Sequence, residues 1–176
     1  MRIISNYSVL SSVFACMLIA CSAVDTPQPQ TDDTIEVSLK DVPKNVSEVV
    51  MAQSPDFEMV EVLKKRRSDR IYYDVEGELP NGDEVEFDVL ITENGPKIVE
   101  IQRDIAWAVT PQSVQDVVGE ANSDNLDVVR IIESKQAGSD AIIYEVFVLG
   151  QAAKPRFEVS VSSGGPARLL DIPAEH

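Results

Sequence analysis

Val42-Pro43-Lys44-Asn45-Val46-Ser47-Glu48-Val49-Val50 is answered later in the chain by Thr110-Pro111-Gln112-Ser113-Val114-Gln115-Asp116-Val117-Val118, position for position and without a gap. The correspondence continues. Phe57-Glu58-Met59-Val60-Glu61-Val62-Leu63 lies over Leu126-Asp127-Val128-Val129-Arg130-Ile131-Ile132 after one inserted residue. Tyr73-Asp74-Val75 then meets Tyr144-Glu145-Val146, and Phe87-Asp88-Val89 meets Phe157-Glu158-Val159. Pro96-Lys97-Ile98-Val99-Glu100-Ile101 meets Pro166-Ala167-Arg168-Leu169-Leu170-Asp171-Ile172 with one further insertion. A register that slips only between blocks marks a duplicated supersecondary unit, because loops absorb insertions that elements do not. Asp41 to Asp104 is thus repeated as Ala108 to Ile172.

Each unit opens with a helix. Pro43 and Pro111 suit the first helical position, where a missing N–H costs nothing, and Thr110 is placed to cap. Val46, Val49 and Val50, like Val114, Val117 and Val118, fall at helical spacing and make one apolar stripe. The remainder switches to a period of two. Val85, Phe87, Val89 and Ile91 alternate with Glu86, Asp88 and Leu90, while Phe157, Val159 and Val161 alternate with Glu158, Ser160 and Ser162. One sheet face is therefore core, and the other is expected largely to meet water. Turns fall at Pro80-Asn81-Gly82-Asp83, Asn94-Gly95-Pro96 and Ser163-Gly164-Gly165-Pro166, and connections this short make antiparallel neighbours. The fold class is α+β: two tandem repeats, each a helix packed on an antiparallel sheet of about four strands. Repeat 1 spans 41–105 and repeat 2 spans 106–176.

Residues 1–20 stand outside that pattern. Arg2 gives a minimal positive start, and Val9 to Ala20 is apolar but too short to span a bilayer. Leu18-Ile19-Ala20-Cys21 follows and resembles the lipobox of bacterial lipoproteins. That resemblance implies a signal peptide cut before Cys21, with Cys21 lipidated and becoming the N-terminus. The alternative Val13-Phe14-Ala15-Cys16 places bulky Phe14 beside the cleavage site. By the family's sorting rule, Ser22 in place of Asp implies the periplasmic face of the outer membrane. Residues 21–40, with Thr26-Pro27-Gln28-Pro29-Gln30-Thr31-Asp32-Asp33, read as a disordered tether. Thr34 to Lys40, where Ile35, Val37 and Leu39 alternate, is a candidate strand at its end.

Charge and composition exclude several functions. The chain carries 30 acidic and 15 basic residues, for a net charge of −15, which repels nucleic acid. Cys16 leaves with the signal peptide and Cys21 is lipidated, so no disulfide is expected. The single histidine is the last residue, His176, a poor position for catalysis. Ser162-Ser163-Gly164-Gly165 reads as a turn rather than a nucleophile elbow, and no phosphate loop or His/Cys metal spacing is present. We expect no enzyme and no cofactor.

Three clusters are candidate interaction sites. Asp83, Glu84, Glu86 and Asp88 offer calcium-type oxygens, but alternation puts Glu86 and Asp88 on the solvated face and no calcium loop surrounds them. Lys64-Lys65-Arg66-Arg67, with Arg70, reads as a solvated hairpin tip that keeps the sheet from stacking, or as a contact for anionic headgroups. The third cluster differs between the repeats. Opposite the core, repeat 1 has Tyr72, Asp74, Glu76 and Glu78, whereas repeat 2 has Ile143, Glu145, Phe147 and Leu149. Ile132, Ile143, Phe147 and Leu149 are the expected partner-binding patch, unless repeat 1 or the segment around Trp107 covers it. An exposed Phe147 favours a foreign partner, and a buried one favours a structural role.

A helix opening on Pro, then Val-x-Val, Tyr-x-Val, an alternating strand, a Gly turn and a short last strand resembles the PepSY domain and its PepSY-like relatives, twice over in 41–172. Tandem units of this kind also resemble the secreted beta-lactamase inhibitor proteins, although this chain lacks their disulfides. The resemblance implies an extracytoplasmic, lipid-anchored protein-binding module with an envelope protein as partner, restraint of a peptidase being one form of that role. The alternatives are a structural protein of envelope assembly and a binder of small ligands or cations.

Overall fold

The computed structural model describes residues 33–151 and 153–171. Its elements run β1 (Asp33–Glu36), α1 (Lys44–Gln53), β2 (Glu58–Arg67), β3 (Arg70–Glu78), β4 (Glu84–Thr92), β5 (Gly95–Asp104), α2 (Gln112–Ala121), β6 (Val128–Gln136), β7 (Ala141–Val148), β8 (Phe157–Ser162) and β9 (Ala167–Leu169). All nine strands form one antiparallel sheet in sequence order. The repeats do not make separate sheets, because β5 pairs with β6 over Glu100–Asp104 against Gln136–Ile132.

The apolar stripes behave as their spacing predicts. Val46 and Val50 pack with Val62, Val75, Phe87 and Val89, while Val114 and Val118 pack with Ile131, Tyr144, Val146 and Val159. Full burial of each such side chain contributes about 1.5–3 kcal/mol. Across the joint, Ile101 of the first core stands opposite Lys135, in the row of Ile131 of the second. Both helices therefore lie on one face of the sheet. The other face carries no helix among the described residues.

The helix starts differ slightly from expectation. Pro43 and Pro111 are the N-caps, each carbonyl accepting the first helical N–H bonds, from Val46 and Ser47 and from Val114 and Gln115. Thr110 does not cap, because its hydroxyl donates to the Ala106 carbonyl. The candidate strand at the end of the tether is present but shorter and shifted: Asp33–Glu36 is an exposed edge strand, β1, paired with β2. Cys21 and the signal peptide lie outside the described residues.

Two local features recur or contrast between the repeats. Register shifts between Met59 and Glu61 and between Val128 and Arg130 leave Val60 and Val129 as the extra, exposed residues of matching bulges. Opposite the first bulge, Gly77 sits under Phe57, whose ring meets Phe87 edge-on at 5.0 Å. The counterparts in repeat 2 are Leu126 and Val148. A large residue above glycine has become a smaller one above valine.

The basic cluster is also relocated. Lys64 to Arg67 belong to β2 itself, and the turn is Ser68-Asp69, whose φ values of 46° and 65° make a tight primed hairpin. Instead of marking a solvated tip, Lys65 and Arg67 lie on the helix-free face, where Arg67 stands over the Tyr72 ring at 6.0 Å.

Candidate functional site

Strand alternation sends every second residue of β3 to β8 to the helix-free face, and register aligns their acids. Asp74 stands opposite Asp88, Asp88 opposite Glu100, and in repeat 2 Glu145 stands opposite Glu158. All five are buried, as is Ser134. This corrects the expectation that the face largely meets water. These positions lie on interior strands of a continuous sheet, with neighbours on both sides, and the long side chains of Lys65, Arg67 and Arg130 lie across them.

Like charges directly opposite one another destabilise a sheet unless they are compensated. The compensation is uneven. Lys65 forms an ion pair with Asp74 Oδ2, and Ser134 Oγ donates to Glu100 Oε1. Asp88, only 7 % exposed, keeps Oδ1 buried with no hydrogen-bond donor. Glu86 lies against Asp88, and burial, reinforced by the Asp88 charge, pushes its carboxyl up to about 8. Asp88 is raised as well, by burial and by Glu100. One oxygen from each of Asp74, Glu86 and Asp88 lies within 4.8 Å of the others. Cys16, Cys21 and His176 are the chain's only Cys and His and lie outside the described residues, so carboxylates are the strongest metal-ligating groups in the described fold.

At one end of this face Val60, Glu76, Glu78, Glu84, Glu86 and Asp104 border a hollow of about 190 Å³. Small-molecule pockets usually hold about 300–1,000 Å³, so this one is sized for a side chain. Arg130 closes one wall, its Nε at 3.0 and 2.9 Å from the two Asp104 carboxylate oxygens. On the helix side of the same joint Arg103 Nε reaches Glu133 Oε1 at 2.7 Å. The two ion pairs link β5 to β6 on opposite faces.

The expected apolar patch is not an exposed surface. Ile132, Ile143 and Phe147 do share the helix-free face, but all three are buried, Phe147 to 6 % exposure. Ile132 stands between Asp104 and Glu145, Ile143 stands between Ser134 and Ser160, and the Arg130 guanidinium lies 5.7 Å from the Phe147 ring centre. Trp107 does not supply the cover, because it lines a hollow with Val118 and Leu126 on the helix side. Leu149 is 64 % exposed, since β7 ends one residue before it.

The buried acids were missed because alternation reports which face a residue takes and not what shields that face. A signal was present: an acid is flanked by the same core residues in both repeats, as Tyr73-Asp74-Val75 and Tyr144-Glu145-Val146, and as Phe87-Asp88-Val89 and Phe157-Glu158-Val159.

No protein-family model and no curated protein matches the chain. A crystal structure of a DUF2874-family protein from Bacteroides vulgatus, ascribed to the periplasm, is similar to it at 19 % identity and a TM-score of 0.31, covering 81 % of this chain and 98 % of that one.

Proposed function

We propose that this protein is a lipid-anchored envelope protein with two PepSY-like repeats, held on the periplasmic face of the outer membrane, and that it is a non-catalytic module binding another envelope protein. The observation that carries this reading is the helix-free sheet face, open at one end into a hollow bordered by Glu76, Glu78, Glu84 and Glu86. Glu78 and Glu84 are exposed and directly opposite each other, with Glu58 next in the row. Such a border favours lysine or arginine side chains of a partner, with exposed Val60 adding apolar contact. Restraint of a peptidase is one form this binding takes.

In vivo crosslinking, capture and mass spectrometry test the reading. Wild type is expected to recover a defined partner, and Glu78→Lys/Glu84→Lys to lose it at unchanged folded yield, because both sites are exposed. Capture of nothing specific, or capture indifferent to the charge reversal, counts against it. The anchor is tested separately. Mass spectrometry of the wild-type protein is expected to find the N-terminus at Cys21 carrying an acyl mass, and Cys21→Ala to lack that mass, since a stable hold needs more than one chain. An unacylated Cys21 in the wild type overturns the lipidation.

The burial of Phe147 favours a second reading, a structural protein of envelope assembly without foreign ligand. In that case charge reversal leaves the captured set unchanged.

A further inference from the structure

We propose that Asp74, Glu86 and Asp88 form a site for one hard divalent cation of calcium's size, bridging β3 and β4 on the helix-free face. The geometry supplies the first reason. Calcium binds oxygens at about 2.3–2.6 Å, so atoms sharing one ion stand at most about 5 Å apart, and the three carboxylates stay within 4.8 Å. Magnesium, with ligands at about 2.0–2.1 Å, needs them closer.

Asp88 supplies the second reason independently. Its Oδ1 is buried without a donor, a state that native proteins rarely tolerate and that a cation would relieve. Lys65, paired with Asp74, and Arg67 also act on Asp88, so two cations are shared among the carboxylates of Asp74, Glu86 and Asp88, with Glu100 opposite. Ligands here are exclusively oxygen, the preference of calcium and magnesium over zinc or copper. The remaining coordination positions are left to water, since Glu86 is only half-buried. Affinity in the range of about 10⁻⁴–10⁻³ M, that of extracellular calcium modules, is expected for three carboxylates sharing their field with a lysine and an arginine.

The inference is independent of the protein-binding reading and is tested without any partner. Isothermal titration of the purified protein with calcium chloride is expected to show one ion per chain, with magnesium chloride at least about tenfold weaker. The denaturation midpoint should rise by about 3 °C at ten times Kd. Asp88→Asn, close in shape, should lose at least about tenfold in affinity. Glu120→Gln, an exposed acid on α2, should keep wild-type affinity and controls for general charge screening. Absence of saturable calcium binding overturns the site. So does equal weakening in the two variants, or magnesium binding as tightly as calcium. Should Asp88→Asn fail to fold, Glu86→Gln serves in its place under the same criteria.

Discussion

The Gly77→Ala protein is expected to unfold about 10 °C below wild type, on the order of 3 kcal/mol less stable. A Cβ built at Gly77 meets the Glu58 carbonyl oxygen and lies 2.6 and 2.8 Å from Phe57 ring atoms. The ring cannot retreat freely, because it is buried and edge-on to Phe87 at 5.0 Å. Backbone must therefore move in the stretch where β2 bulges. Repeat 2 tolerates Val148 at the matching position beneath Leu126, so adding Phe57→Leu should restore part of the loss. It should not restore all of it, since the Glu58 carbonyl remains in place. Thermal denaturation followed by circular dichroism gives the answer, and a Gly77→Ala midpoint within about 2 °C of wild type would sink the idea.

The second large effect is a loss of stability as pH rises, measured with a chelator present. A free glutamate titrates near 4.5, whereas burial and the Asp88 charge hold the folded Glu86 proton up to about 8. Below pH 4.5 both states are protonated, and the contribution of this group is fully present. Between 4.5 and 8 the unfolded chain has released its proton and the folded chain has not, so each step upward in pH favours unfolding. Above 8 the contribution is gone. One pKa unit corresponds to about 1.4 kcal/mol; with solvent relaxing around a half-buried group, a loss of about 2 kcal/mol across the window is expected. Glu86→Gln should flatten that slope and be the more stable protein at pH 8. An equal slope in wild type and variant would place the effect in the overall acidic charge instead.

Much of this architecture was legible because hydrophobic spacing is a local signal. Val46/Val50 and Val114/Val118 located both helices, and Phe87-Asp88-Val89 with its counterpart located the central strands. The joining of the repeats was not legible. Nothing in Glu100–Asp104 or Ile132–Gln136 distinguishes two edges that pair from two that stay apart, and pairing follows from backbone groups common to all residues. The hairpin itself was legible from the basic cluster, but its turn was placed too early, because Ser68-Asp69 carries positive φ without a glycine. The candidate site failed for a further reason. Counting polar residues opposite the core identified the face of Ile143 and Phe147 correctly, but exposure depends on what the flanking strands and Arg130 place there.

Each strand pairs with the strand beside it in sequence, from β1 through to β9. Loop closure therefore rarely spans a long stretch of chain, the condition under which mixed domains fold quickly for their size. Each half also contains a helix and a core of its own, so two nucleation centres are available, and the five-residue joint of β5 and β6 only has to dock them. Destabilising changes in that joint, at Arg103 or Arg130 for instance, are then expected to accelerate unfolding while leaving the refolding rate nearly unchanged.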